Sequence, residues 1–303
     1  MMRRVSEAGF TILELMVATG VLLAVLSGAL YFFSRSQGVY TNERATLDMV
    51  QDLRTAFDRF TNEIRMAGAG LPGYHGVVSG TETTLIVRGD FSQVTTIVTS
   101  TSPISNGTFP VGTTSGFAIG QTVSLLQTDG TAAGASALAK IAAVNPTSST
   151  ITINVGDMLP ITSGAQASNF GPGCLINVVE RRTYGAITSG ADMGAITRTV
   201  AYESTQSAGT TIQAQEIIAR NVLTKDSNGN DVVGLKFTYL NSADGILAVD
   251  PDTGFVDPTQ VAKVQVTLQA RTAGRDLHSG EYRTLNITAL VQVRGQYIPA
   301  VGF

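Results

Sequence analysis

Hydrophobic and polar positions fall into three regimes along the chain. From Phe10 to Phe33 they hardly alternate: these 24 residues hold thirteen Leu, Ile, Val and Phe side chains and one charge, Glu14. Coiled as a helix, the segment is about 36 Å long, enough to cross a hydrocarbon core of about 30 Å. Leu47, Val50, Leu53, Phe57, Phe60, Ile64 and Ala67 then recur at intervals of three and four, the stripe of an amphipathic helix. Asp48, Asp52, Arg54, Asp58, Arg59, Glu63 and Arg65 lie between them and read as the polar face, with Arg54–Asp58 and Arg59–Glu63 at i,i+4. No proline precedes Pro72, so the spacing predicts one helix over 10–67, membrane-spanning over 10–33 and amphipathic over 34–67. Gly68, Gly70, Pro72 and Gly73 end it.

Beyond residue 74 the pattern becomes short β-branched runs bounded by Gly, Asn, Asp and Pro. Strands are expected at 83–88, 94–99, 121–127, 138–144, 150–155, 175–186, 196–203, 211–218, 232–240, 261–271 and 283–293. The strand at 261–271 alternates, with Val264, Val266 and Leu268 on one face, as a half-buried antiparallel strand does. A Thr/Gly-rich block at about 103–160 reads as an inserted β subdomain. The expected fold class is α+β: a long N-terminal helix packed on a large antiparallel β-rich head, residues 68–303.

Composition narrows the functional classes. With 43% hydrophobic residues in 303, the chain can build a sizeable core, and wholesale disorder is excluded. Charged residues are 14% and the net charge is −3, which offers no basic footprint for nucleic acid. Cys174 is the only cysteine, so no intramolecular disulfide forms, and it reads as a small buried apolar residue. Arg3 and Arg4 on one flank of the apolar run face Arg35 and Arg44 on the other, so flanking charge sets no orientation.

Chemistry-bearing motifs are sparse. The run Gly68 to Gly73 has GxGxxG spacing, but it follows a helix and precedes strands, the reverse of a dinucleotide fingerprint. None of the four lysines follows a glycine, which removes the Walker A loop, and His75 and His278 are too few for a histidine-based centre. The chain does not read as an enzyme, and no cofactor is expected. Two acidic loops offer oxygen ligands for calcium: Asp226, Asn228 and Asn230 in one, Asp250, Asp252 and Asp257 in the other. The first has Asp231 where an EF-hand loop needs Gly and Phe237 where it needs Glu, so turn chemistry is favoured over a metal site in both loops.

Glu14 is the anomaly of the apolar run, since a carboxylate at the centre of a membrane helix costs about 2.5–3.5 kcal/mol on insertion scales, and less near an end. A secretory signal peptide would place an uncharged core and a small-residue cleavage site after its basic region; here Gly9 stands before the apolar run instead. The run Ala8-Gly9-Phe10-Thr11-Ile12-Leu13-Glu14-Leu15-Met16-Val17 resembles the class III signal of type IV prepilins and type II secretion pseudopilins. Met66-Ala67-Gly68-Ala69-Gly70, Arg181-Arg182-Thr183-Tyr184 and Leu235-Lys236-Phe237-Thr238-Tyr239 look like PilW-type minor pilins and the related J-type pseudopilins.

The resemblance implies a pilin-like fold, a leader over residues 1–9 cut after Gly9 by a prepilin peptidase, N-methylation at Phe10, and a filament-assembly role for Glu14. Loss of Arg3, Arg4 and Glu7 with the leader takes the net charge from −3 to −4. The implied partners are other major and minor pilins, the peptidase and an inner-membrane assembly platform. The implied location is a single-pass inner-membrane protein with a periplasmic head, and then a pilus (fimbrium) at the cell surface. Gly20, Ala24 and Gly28 share a face at four-residue spacing, where helices approach closely in the absence of water. Tyr31, Phe32, Phe33 and Tyr40 read as an interfacial aromatic belt. A J-type pseudopilin of a secretion system, and a membrane-anchored adhesin or binding module, remain open beside the pilus subunit.

Overall fold

The structure is a computed structural model that describes residues 11–71, 75–100, 106–128, 134–163, 165–190, 192–202, 212–223, 234–272, 275 and 280–293. Within them the chain is α+β, one long helix α1 (Ile12–Met66) followed by strands that pair only antiparallel. The strands are β1 (Val77–Gly80), β2 (Thr84–Gly89), β3 (Thr95–Ile97), β4 (Thr108–Pro110), β5 (Thr122–Gln127), β6 (Ser136–Asn145), β7 (Thr150–Ile153) and β8 (Leu159–Pro160). They continue with β9 (Cys174–Val178), β10 (Glu180–Ala186), β11 (Ile196–Tyr202), β12 (Ile212–Ala219), β13 (Leu235–Leu240), β14 (Lys263–Arg271) and β15 (Thr284–Gln292). Three sheets result, in the orders β1-β2-β10-β11-β12, β13-β14-β15, and β3-β9-β5-β6-β7-β4 with β8 paired to β6.

Two compact units share the chain: Met1–Met49 with Thr272–Arg283, and Val50–Arg271 with Thr284–Phe303. In the first, α1 is exposed at every position from Thr11 to Gln37. Among the described residues it is the one helix long and apolar enough to cross a membrane. The second unit holds the three sheets and the last turns of α1. There Leu53, Ala56, Phe60, Ile64 and Ala67 are buried, and the Phe60 ring lies 4.8 Å from Tyr184 and 6.2 Å from Phe237. One helical residue thereby joins the first sheet to the second.

The buried face differs from the predicted stripe. Leu47 is exposed and Phe57 half-buried, whereas Ala56 and Glu63 are buried. Glu63 therefore leaves the polar face assigned to it, because its charge is met by arginines from the sheet. At the helix end Gly68, with φ 85°, donates its N–H to Arg88 O at 2.8 Å, and Ala69 O accepts from Asp90 N–H at 2.9 Å. A Cβ on Gly89 would lie 2.9 Å from Met66 O, so this strand can approach the helix end only as glycine.

The single strand expected at 175–186 is two strands in different sheets. β9 pairs with β3 and β5, and β10 with β2 and β11. Asn177, Val178 and Val179 are buried in succession, which no single strand face allows, and the chain changes sheets there. The block at 103–160 supplies β4 to β8 to the third sheet, which β3 and β9 complete from the flanking sequence. Phe109, Leu125, Ile141, Phe170, Cys174 and Ile176 fill its core. The unpredicted β1, β4 and β8 have four residues or fewer, too short for a period to show.

Candidate functional site

Gly9 and Phe10 lie outside the described residues. The next two positions of chemical interest touch each other: Glu14 N–H donates to Thr11 Oγ1 at 3.2 Å, and Thr11 N–H and its hydroxyl lie 3.5 Å from Glu14 Oε2. This is the reciprocal arrangement of a capping box, in a loose form, and it answers two of the orphan donors at the helix start. The carboxylate also sits where the helix dipole favours an anion. The spacing Thr-x-x-Glu ahead of an apolar run is itself a sequence signal for this cap. Thr11 was missed as its partner, and that spacing was the available signal.

Beyond Thr11 and Thr19, whose hydroxyl donates to Leu15 O at 2.9 Å, the helix around Glu14 presents apolar surface. Gly20, Ala24 and Gly28 are exposed, and a Cβ added at Gly20 or Gly28 would meet nothing within 4 Å. Tyr31, Phe32, Phe33 and Tyr40 are exposed as well. Such a surface is stable against lipid or against other apolar helices and not against water.

The second cluster is a charge network under the helix. Glu63 accepts from Arg182 Nη1 at 2.6 Å and from Arg198 Nε at 3.1 Å, with Arg59 Nε 3.5 Å away. Glu180 binds Arg182 Nη2 at 2.7 Å, and Glu216 takes Arg198 Nη1 at 2.8 Å and Arg59 Nη2 at 2.7 Å. The Arg182 guanidinium stands 4.1 Å over the Phe91 ring. Three arginines and three glutamates balance in charge, as burial demands. Desolvation still pulls the Arg182 pKa below its ordinary value, against the pull of Glu63 and Glu180.

Strand geometry builds this cluster. Arg182 and Tyr184 are two residues apart on β10 and point to one face, and register places Arg198 of β11 opposite Tyr184. The Arg-Arg-Thr-Tyr, Leu-Lys-Phe-Thr-Tyr and Met-Ala-Gly-Ala-Gly segments all border the docked part of α1: Tyr184 and Phe237 against Phe60, Arg182 on Glu63, Gly68 on β2. Glu63 and Arg198 were missed as site residues, although Glu63 stands between Phe60 and Ile64 on the apolar stripe, and that position was the available signal.

Asp226, Asn228 and Asn230, like His278, lie outside the described residues. In the other acidic loop, Asp250 Oδ1 accepts Asp252 N–H at 2.8 Å, and the Asp257 carboxylate accepts the Thr259 hydroxyl, Thr259 N–H and Gln260 Nε2. Those bonds, the Thr259 hydroxyl first, hold the Asp257 pKa below the usual range. They are turn hydrogen bonds, and no group of three or more metal-ligating side chains gathers among the described residues. Burial and then Arg88 lower the His75 pKa from its ordinary value, against Asp257, and Arg88 Nε donates to the His75 carbonyl at 3.1 Å.

Set against known proteins, the chain matches no family model, no curated protein and no solved structure.

Proposed function

We propose that the chain is a structural subunit of a type IV pilus, most like the PilW-type minor pilins. In this reading it is cut after Gly9, methylated at Phe10, held in the inner membrane by α1 and then packed into a filament among other pilins. What supports it is one combination: the prepilin-like run 8–17, with its single carboxylate at Glu14, opens a helix that is exposed from Thr11 to Gln37 and predominantly apolar as far as Phe33. The same helix ends beneath a β-rich unit. An anchor that must leave lipid for a helical bundle needs that continuous apolar surface and a polar feature that fixes register.

Glu14 supplies the feature. Its carboxylate pairs with the methylated amine of Phe10 on a neighbouring subunit, because two opposite charges brought together in an apolar bundle are far less costly than either alone. The Thr11 cap holds the side chain at the helix start until the amine arrives. Mass and N-terminal sequence of the protein recovered from sheared surface filaments test the reading. A methylated Phe10 terminus is expected, and recovery only as a membrane-bound full-length chain overturns it.

A further inference from the structure

The second sheet ends on β15, and among the described residues no strand pairs with its outer edge. Its nine residues run in unbroken register along β14, from Arg271↔Thr284 to Lys263↔Gln292, and hold no charge, proline or bulge. Native edges are normally blunted by such devices or by short length, because free backbone N–H and C=O groups template another strand. The other edges obey: β1 has four residues and a register shift, β3 has three, β4 has three and contains Pro110, and β12 pairs across two register shifts. On the far side of its own sheet, β13 donates Phe237 N–H to Glu82 O and bridges Ile246. β15 is the exception.

Ladder phase fixes what the edge offers. Val293 N–H donates to Ala262 O, and Arg283 O accepts from Thr272 N–H, so odd-numbered residues turn their backbone groups toward β14. Those of Thr284, Asn286, Thr288, Leu290 and Gln292 face the open side. Leu285, Ile287 and Ala289 are only half-buried, while their β14 partners Ala270, Leu268 and Val266 are buried. The apolar row runs on past its last covered strand.

We propose that a second copy of this chain adds its own β15 to this edge, antiparallel and centred on Thr288, giving a six-stranded sheet across a two-fold axis. In that register the strand is its own complement. Leu285 meets Val291 and Ile287 meets Ala289 along the inner row, while Asn286 meets Leu290, Thr284 meets Gln292 and Thr288 meets Thr288. Antiparallel pairing keeps each residue on its face, and an uncharged strand brings no like charges together. Each copy turns five N–H and five C=O groups outward, so full pairing forms ten hydrogen bonds. The two-fold contact closes at two copies, and it stands independently of the filament reading.

Cysteine cross-linking of the full chain in membranes of expressing cells tests this, with the wild type as control because its one cysteine, Cys174, is buried. Thr288→Cys is expected to give a disulfide-linked dimer on mild oxidation, since opposed residues of a hydrogen-bonded pair stand about 5.5 Å apart at Cα, within disulfide range. Asn286→Cys alone should stay monomeric, because its counterpart lies four residues, about 14 Å, along the strand. Co-expressed with Leu290→Cys, it should cross-link. A monomeric Thr288→Cys, or equal cross-linking of Asn286→Cys alone, overturns the proposal.

Discussion

Glu63 and Arg182 meet at 2.6 Å with side chains only 8% and 11% exposed, and this contact ties the helix to the middle strand of the first sheet. A lone carboxylate on the apolar side of a helix would normally exclude that side from a core. Here it is accepted because Arg182 and Arg198 arrive from adjacent strands as diagonal neighbours, two residues out of register. Geometry of this kind is selective: sliding the helix by a turn would leave the Glu63 carboxylate buried without its arginines.

Replacing Glu63 therefore breaks a network and does more than remove one contact. Glu63→Gln takes one of two anions from each of two buried guanidiniums, leaving Arg182 with Glu180 and Arg198 with Glu216, and should lower stability by about 1–3 kcal/mol. Urea unfolding of the wild type and variant in the same detergent reads it. A loss below about 1 kcal/mol would mean that solvent reaches the cluster.

Phe60 and Phe57 separate the docked face from its border. Phe60 is fully buried between Tyr184 and Phe237, and Phe60→Ala should cost about 3–5 kcal/mol. Phe57 is half-buried, so Phe57→Ala should cost clearly less. Equal losses in thermal unfolding would place both side chains in the core.

Gly80 lies directly beneath the Tyr239 ring, whose hydroxyl donates to Thr81 O and Thr84 O at 3.0 Å each. A methyl group there must displace a buried ring that is held at its far end. Gly80→Ala should destabilise by about 1–3 kcal/mol, the range for overpacking. Gly28→Ala meets open space and should leave unfolding unchanged. An unperturbed Gly80→Ala melting temperature would refute the close approach.

Asp90 gives the chain a pH dependence. Burial pushes its carboxyl up to about 6 from 3.8, with Glu180 adding repulsion against N–H donors from Gln93 and Val94, and its Oδ1 is buried without a partner. The folded state thus holds the proton more tightly than the unfolded chain. That stabilisation is complete below about pH 4 and is lost as pH rises through about 6. Asp90→Asn, neutral throughout, should melt higher than the wild type at pH 8 and alike at pH 4. The same difference at both pH values would sink this assignment.

For the filament reading, Glu14→Ala should leave a processed, membrane-held protein that is absent from sheared filaments, and normal incorporation would remove the role given to Glu14. Quantitative mass spectrometry should also find the chain far below the main subunit, since a head of this size crowds a dense lattice.

The sequence by itself determined the long helix, its apolar first half, most of the strands and the α+β class, because each rests on local periodicity that neighbouring residues carry within one segment. It also held the Thr11–Glu14 cap, four residues wide. Tertiary structure alone decided that Glu63 is buried, that the stretch 175–186 divides between two sheets, and that among the described residues β15 has no strand on its outer edge. Those outcomes depend on pairs such as Glu63 with Arg198, 135 positions apart. A charge on an apolar stripe reads as solvent-facing until the strand that neutralises it has been placed, and no local period carries that information.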